Sequence, residues 1–342
     1  MFPLDRWYVA AFSHEIADAP LARTLLDRPL VMFRDAQGRV AALDDRCCHR
    51  ALPLSKGEVE HGALRCGYHG LLFDGAGRCI EIPGQDRIPP SACVPAHPVR
   101  EQDRIVWIWF GRTPGSQPDR DPPRYPWHDD PRYEHRGASY HYRAPWQLVH
   151  DNLLDLSHLG YVHRKTIGGN ARLHMGAPTT VTQDGDTVRV VRWMKDSVAP
   201  PTYAQAWPFR DRIDRWQEIE FEVSHLKIWT GAVDAGSEPL DDPRRGGFHM
   251  RGLHAVTPET ATSTHYLWTI ACNRPEGRAS IRDLVYEQTA ATFEEDVAII
   301  ESQWANLQRF GDRPMIDIHV DAAPNRARRI IARLCGGAGI EA

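Results

Sequence analysis

Cys47-Cys48-His49-Arg50 and Cys66-Gly67-Tyr68-His69-Gly70 are the two short stretches on which the reading of this chain turns. Each offers one thiolate and one imidazole, as Cys-x-His in the first and Cys-x-x-His in the second, with sixteen residues between His49 and Cys66. A cluster of two irons, one taking two sulfurs and the other two nitrogens, needs two fingers that each supply one of both. The interleaved order does that, and two imidazoles in place of two thiolates also raise the reduction potential, which suits a one-electron relay. Gly67 and Gly70 let the backbone pass close to such a cluster. The alternative is a tetrahedral Cys2His2 zinc site, whose common spacing gathers both cysteines in the first half and both histidines in the second. Cys48, Cys79 and Cys93 read as small buried apolar side chains.

The surroundings of these fingers read as short strands and turns. Pro29 to Arg34 and Arg39 to Leu43 flank Asp35-Ala36-Gln37-Gly38, and Leu71-Leu72-Phe73 and Arg78-Cys79-Ile80 flank Asp74-Gly75-Ala76-Gly77, two hairpin signals. Arg104 to Gly111 is a further strand with an aromatic face. Thr113 to Pro131 then holds six prolines in nineteen residues, so a domain boundary is expected there, with one domain over 1–114 and a second over 115–342. Beyond it His150 to His163 reads as helix, and Thr187 to Met194, Gln217 to Thr230 and His265 to Ala271 read as strands. Ser280 to Phe310 has neither Gly nor Pro, with Ser280 as N-cap and Gly311 just past the end, and predicts a long helix.

The second constellation lies in that later part. Asn152, Asp155 and His158 are three residues apart, one stripe of a helix, and His163 follows five residues on. On an ideal helix His158 and His163 diverge, so convergence on one ion needs a local distortion, which Gly160 permits. Two imidazoles and one carboxylate on one face of iron leave positions open for dioxygen and substrate. The long helix supplies the carboxylate: Phe293, Val297, Ile300 and Trp304 form its apolar stripe, Asp296 falls on that stripe, and Glu294, Glu295 and Glu301 lie to the sides. A carboxylate aimed into a core costs several kcal/mol unless paired or metal-bound. Asp296 is therefore favoured over Glu295 as third ligand.

Both constellations together resemble the Rieske non-haem iron oxygenases. The two fingers match the loops of the family's 2Fe–2S domain, with Cys48 and Gly67 where it often has Pro. The segment Asn152 to His163 matches its Asn-x-x-Asp-x-x-His-x4-His motif, and Phe293-Glu294-Glu295-Asp296 resembles its late ligand helix. Length and the segment Glu81 to Gln85 resemble the compact branch with vanillate O-demethylase, toluenesulfonate methyl-monooxygenase and dicamba O-demethylase. The resemblance implies an α+β chain: an N-terminal all-β Rieske domain, then a catalytic domain with an antiparallel sheet wrapped by helices. It implies one 2Fe–2S cluster on Cys47, His49, Cys66 and His69, and one mononuclear Fe(II) on His158, His163 and Asp296. It implies an oxygenase component that hydroxylates or demethylates a small aromatic acid with O2, fed by an NAD(P)H-dependent reductase or ferredoxin. Asp155 and Asn152 are then catalytic residues, with Asp155 linking His158 to His69 of a neighbouring copy in a homotrimer. His254, before Ala255-Val256-Thr257-Pro258, is a candidate substrate contact as well as a candidate structural histidine. N-demethylation or ring hydroxylation by the same site, and a pure electron-transfer Rieske protein, are the other readings.

Composition bounds the rest. With 342 residues and 42% apolar side chains the chain can bury a large core, which excludes a disordered chain or a disulfide-stapled mini-protein. A formal charge of −4, with no like-charge block beyond three residues, gives no sign of a nucleic-acid groove or a polybasic membrane anchor. Seven cysteines and a start without a basic and apolar leader point to a cytoplasmic setting and to metal ligation over disulfides. Gly337 to Ala342 matches G-x-G-x-x-A but has no helix after it, so neither NAD nor flavin is expected on this chain.

Overall fold

The computed structural model describes residues 1–113, 115–275, 277–311 and 313–336, so the glycine motif at 337–342 lies outside the described residues. The chain divides into two compact units, Met1–Arg124 with Thr257–Ala261, and Tyr125–Val256 with Thr262–Ala342.

The first unit is built of strands. Arg6–Phe12 (β1), Leu21–Leu25 (β2), Arg28–Arg34 (β3), Val40–Asp44 (β4), Glu58–Glu60 (β5), Ala63–Arg65 (β6), Leu72–Phe73 (β7), Cys79–Glu81 (β8), Ala96–His97 (β9), Val99–Gln102 (β10) and Ile105–Phe110 (β11) form three small sheets, ordered β1-β11-β10, β2-β3-β4-β9 and β5-β6-β7-β8. Tyr8, Met32, Ile108 and Phe110 pack one core. Phe33, Leu43, Leu64 and Phe73 pack another around the thiols of Cys47 and Cys66. The turns at Asp35 and Asp74 are built alike: each carboxylate accepts backbone N–H groups two and four residues on, the Asx-turn preference of aspartate.

The second unit is a seven-stranded sheet. Its strands are Tyr133–Tyr142 (β12), Thr179–Asp184 (β13), Thr187–Ser197 (β14), Ile213–Glu222 (β15), His225–Asp234 (β16), Phe248–Thr260 (β17) and Ser263–Asn273 (β18), in the order β12-β18-β17-β16-β15-β14-β13. Helices Trp146–Leu154 (α1), Leu159–Val162 (α2), Ala171–Gly176 (α3), Pro201–Ala206 (α4), Arg282–Phe310 (α5) and Ala322–Leu334 (α6) complete it. The β-rich first unit and α+β second unit agree with the fold class expected from sequence.

Three local expectations are corrected. Gln217 to Thr230 is a hairpin, not one strand: β15 and β16 meet at Val223-Ser224, a turn without the Gly, Asn or Pro that would announce it. The long helix begins at Arg282, with Ile281 at the N-cap position and the Ser280 hydroxyl 3.3 Å from the Arg282 N–H. The segment 150–163 is not one helix. α1 stops at Leu154, Asp155 is extended, and Leu156–His158 forms a 3-10 turn before α2. The Asp155 carboxylate accepts from the Ser157 N–H and hydroxyl, both at 2.8 Å, so it caps a fresh helical start and ends the old one.

Candidate metal centres

The two fingers fold as near copies. In the first, the Cys47 N–H donates to Leu52 O and the Ala51 N–H donates back to Cys47 O; in the second, Cys66 N–H donates to Leu71 O and Gly70 N–H to Cys66 O. Ala51 and Gly70 occupy the equivalent left-handed position, at φ 59° and 73°. Cys47 and Cys66 are each only 2% exposed, whereas His49 and His69 are exposed, with ring centroids 4.5 Å apart. The tips therefore offer two sulfurs at the floor and two nitrogens at the surface, the donor division a Rieske cluster requires. Burial, with the neighbouring Cys66 thiol, pushes Cys47 up to about 11 in the metal-free chain, and ligation draws off that proton. Of the other cysteines, Cys79 is buried as expected, Cys48 is only half-buried, and Cys93 is exposed, a correction to its reading as a core residue.

The second centre is assembled by α1, the broken segment and α5. His158, His163 and Asp296 present ligand atoms that all lie within 4.8 Å of one another. Asp296 Oδ1 is 3.1 Å from His163 Nε2 and 3.6 Å from His158 Nε2. Asp296 is buried on the inner face of α5 between Phe293 and Ile300, while Glu294 and Glu295 are exposed, as the stripe argument expected. The Asn152 amide donates to Asp296 Oδ1 at 3.1 Å and holds it in place.

The other ring nitrogens settle the tautomers. His158 Nδ1 is 2.6 Å from the Asp155 carbonyl oxygen, and His163 Nδ1 is 2.7 Å from Glu295 Oε2. Both partners only accept, so both Nδ1 atoms carry hydrogen and both Nε2 atoms are free to bind metal. Burial lowers the His158 pKa below its ordinary value, which favours the neutral ligand form. For His163 burial acts in the same direction, but the carboxylates of Asp296 and Glu295 outweigh it and raise the value. A metal ion between Nε2 and Asp296 would take the place of that proton. The residues present thus fit a divalent iron held by two imidazoles and one carboxylate.

Gly160 has a different role from the one expected. A Cβ there would sit 2.2 Å from Ala171 Cα, so glycine permits the close approach of α2 and α3, while the distortion that turns the histidines comes from Asp155. The Asp155 carboxylate does not touch His158; it holds Ser157 and lies 3.8 Å from the Arg192 guanidinium. Glu295, weighed only as a rival ligand, is instead the hydrogen-bond partner of His163.

A cavity with about 690 Å³ of free space, its open mouth included, adjoins the triad. Leu153, Leu156, Ile228, Met250, Ile270 and Phe293 give it a mostly apolar lining. His254 also lines it, buried, with Nδ1 2.6 Å from the Tyr266 hydroxyl oxygen, and burial pushes its pKa down to about 3, which keeps the ring neutral. Gly252 leaves the space beside it free: a Cβ there would sit 2.6 Å from His254 Nε2.

Residues 6–97 match the family model described as Rieske [2Fe-2S] domain, and residues 142–336 match that of the vanillate O-demethylase oxygenase C-terminal domain. This chain is a Rieske non-haem iron oxygenase. It shares 38% identity over 339 residues with the iron–sulfur subunit of a toluene-4-sulfonate monooxygenase system from Comamonas testosteroni, covering 98% of this chain and 97% of the relative. With a vanillate O-demethylase oxygenase subunit from Pseudomonas sp. strain HR199 it shares 35% over 344 residues, 98% and 95% of the two chains. The crystal structure of dicamba monooxygenase bound to dicamba matches with a TM-score of 0.84 at 33% identity, covering 96% of each chain. The oxygenase therefore belongs to the vanillate, dicamba and toluenesulfonate branch of the family. Its activity is that of a Rieske-type monooxygenase, with a 2Fe–2S domain and a mononuclear iron site. The zinc-module and pure electron-carrier readings fall with that assignment. Among the described residues no helix is long and apolar enough to cross a membrane.

Proposed function

We propose that this chain is the terminal oxygenase that hydroxylates a methyl or methoxy carbon of a small aromatic acid, with electrons from a separate NAD(P)H-dependent reductase or ferredoxin. The observation that carries the reading is the triad at the wall of an apolar cavity: His158, His163 and Asp296 turn their ligand atoms toward one point beside a space lined by leucine, isoleucine, methionine and phenylalanine. Named activities of the relatives, on toluene-4-sulfonate, vanillate and dicamba, favour the same substrate class.

In this reading Cys47, His49, Cys66 and His69 hold the cluster, and His158, His163 and Asp296 hold the mononuclear iron. When bound, that ion activates dioxygen for insertion into a carbon–hydrogen bond, using electrons that arrive one at a time through the cluster. The protein's own contribution is positional. Asn152 fixes the Asp296 carboxylate, the Asp155 carbonyl and Glu295 fix the two imidazoles, and the apolar lining keeps water from the reacting carbon. His254, kept neutral, offers one hydrogen bond to the substrate. A hydroxylated methoxy carbon is a hemiacetal and collapses to a phenol and formaldehyde. The Asp155 carboxylate, half-buried and not spent on its own His158, joins this centre to His69 of a neighbouring copy in a homotrimer.

Oxygen uptake with a surrogate reductase across methoxy-, methyl- and sulfo-substituted aromatic acids and N-methylated analogues tests the reading. Formaldehyde or a benzylic alcohol is the expected product. A ring-hydroxylated product, or uptake only with N-methylated substrates, overturns it.

A further inference from the structure

Three arginines are buried in the catalytic unit: Arg192, Arg215 and Arg245, each at most 4% exposed. Arg245 pairs with Glu218, and Arg192 lies 3.8 Å from Asp155. Arg215 has no carboxylate partner among the described residues. Its Nη2 donates to the Ile167 carbonyl at 3.3 Å, its guanidinium lies 4.6 Å from the centroid of the Tyr203 ring, and its Nε is buried without an acceptor. Burial of an ion is unfavourable unless a counter-charge or hydrogen bonds offset it. Yet Arg215 lines the same cavity as the iron triad.

Its neighbour repeats the pattern. Gln217 is two residues along β15 and so on the same face, lines the same cavity, is 2% exposed, and has its amide oxygen buried without a partner. Turned over, that amide presents N–H donors to whatever Arg215 binds. The pair is part of the sheet wall of the cavity. Arg215 is in register with Ala232 of β16, and His254 with Leu226, so both fall on the same face of the sheet. The His254 ring centroid lies 5.5 Å from that of Phe293, three residues before Asp296 on α5.

We propose that Arg215, assisted by Gln217, is the anchor for the substrate's anionic group, a carboxylate or sulfonate. The aromatic acid enters with its charged end at Arg215 and its methyl or methoxy carbon toward His158, His163 and Asp296. A planar guanidinium suits either oxyanion, because its fork of N–H donors meets two oxygens at once. The inference rests on the aromatic-acid reading above and says which residue enforces it.

The test uses the iron- and cluster-loaded enzyme, kept anaerobic, in calorimetric titrations with two matched pairs of probes: toluene-4-sulfonate against toluene-4-sulfonamide, and 4-methoxybenzoate against 4-methoxybenzamide. Each pair differs in charge and hardly in shape, so the acid-to-amide affinity ratio isolates the anion contact. In Arg215→Gln the ratio should fall roughly 10–100-fold, the worth of a hydrogen-bonded ion contact. Arg215→Lys keeps the charge without the fork and should fall less. Should Arg215→Gln not accumulate with both metals, Arg215→Lys and Gln217→Leu carry the same comparison. An unchanged ratio, with acid and amide weakened together, shows a packing role and overturns the anchor while leaving the substrate class standing. If the wild-type enzyme binds neither acid, the anchor and the aromatic-acid reading both fall.

Discussion

The two metal centres are built from similar donors by opposite strategies. At the fingers the thiols are buried and the imidazoles exposed, on loops closed by two matching pairs of backbone hydrogen bonds. At the triad His163 and Asp296 are buried, on a helix break and a long helix, beside an apolar cavity. A group that exchanges electrons with another protein needs an edge at the surface, whereas oxygen chemistry needs water kept out. The same imidazole thus serves as an exposed contact in one unit and a shielded ligand in the other, and its surroundings make the difference.

The largest expected effect separates the two centres. His163→Ala or Asp296→Ala should remove about one iron per chain and stop turnover while leaving the visible spectrum of the cluster intact. Cys66→Ser should do the converse, abolishing the brown chromophore while the triad still loads iron. Metal analysis and absorbance on the same samples read both. Loss of both centres' signatures in every variant would show that the centres are not independent. Next in size is Asp155→Asn. Both metal centres and reduction of the cluster by a reductase should survive, and product formation should nearly vanish, because in the proposed trimer Asp155 carries the charge between the centres. Normal turnover by this variant would sink the inter-subunit link.

How much of this was legible in the sequence differs between the centres in the same way. The fingers are local: four candidate ligands within 23 positions, 47 to 69, in an order with few structural meanings, so residue type and spacing pointed to a Rieske domain, and residues 6–97 match one. Asp296 was legible because a carboxylate on an apolar stripe is conspicuous. The helix break at Asp155 was not, since the spacing of Asn152, Asp155 and His158 also fits unbroken helix, and only the side chain's bonds to Ser157 decide. Arg215 carried no signal at all: an arginine in a strand looks like a surface residue until the sheet around it shows that no carboxylate answers it.

A pH effect of intermediate size sharpens the contrast from the protein's interior. His150, His225 and His249 lie in the catalytic unit away from the triad, and burial pushes their pKa values down to about 3, about 3 and about 4. An unfolded chain takes up protons on these rings below about 6.5, where the folded chain does not. Their contribution to stability is therefore complete above that value and is lost as pH falls toward their folded values, by up to about 1.4 kcal/mol per pH unit for each ring. Urea midpoints of the catalytic unit, followed by amide exchange, should drop steeply between pH 6.5 and pH 5. A midpoint that stays level over that window would mean the three rings are charged in the folded state.

The smallest expected effect lies within the triad, where the two histidines are oriented by unlike partners. His158 Nδ1 donates to a backbone carbonyl, which no substitution removes; His163 Nδ1 donates to the Glu295 carboxylate, whose side chain is 47% exposed. Removal of such a supporting partner weakens metal binding about 10–100-fold. Here water can reach the vacated position, so Glu295→Ala belongs at the lower end, about 10-fold. Glu295→Gln keeps an acceptor for the Nδ1 hydrogen and loses only the charge that makes the imidazole a better donor to the metal. It should cost less again. Competition for ferrous iron against a chelator measures both variants, with the cluster spectrum as the internal reference for folding. The ordering wild type, Gln, Ala in falling affinity is what an orienting carboxylate produces. A loss by Glu295→Ala as complete as that of Asp296→Ala would make Glu295 a ligand and reverse the assignment of the two carboxylates.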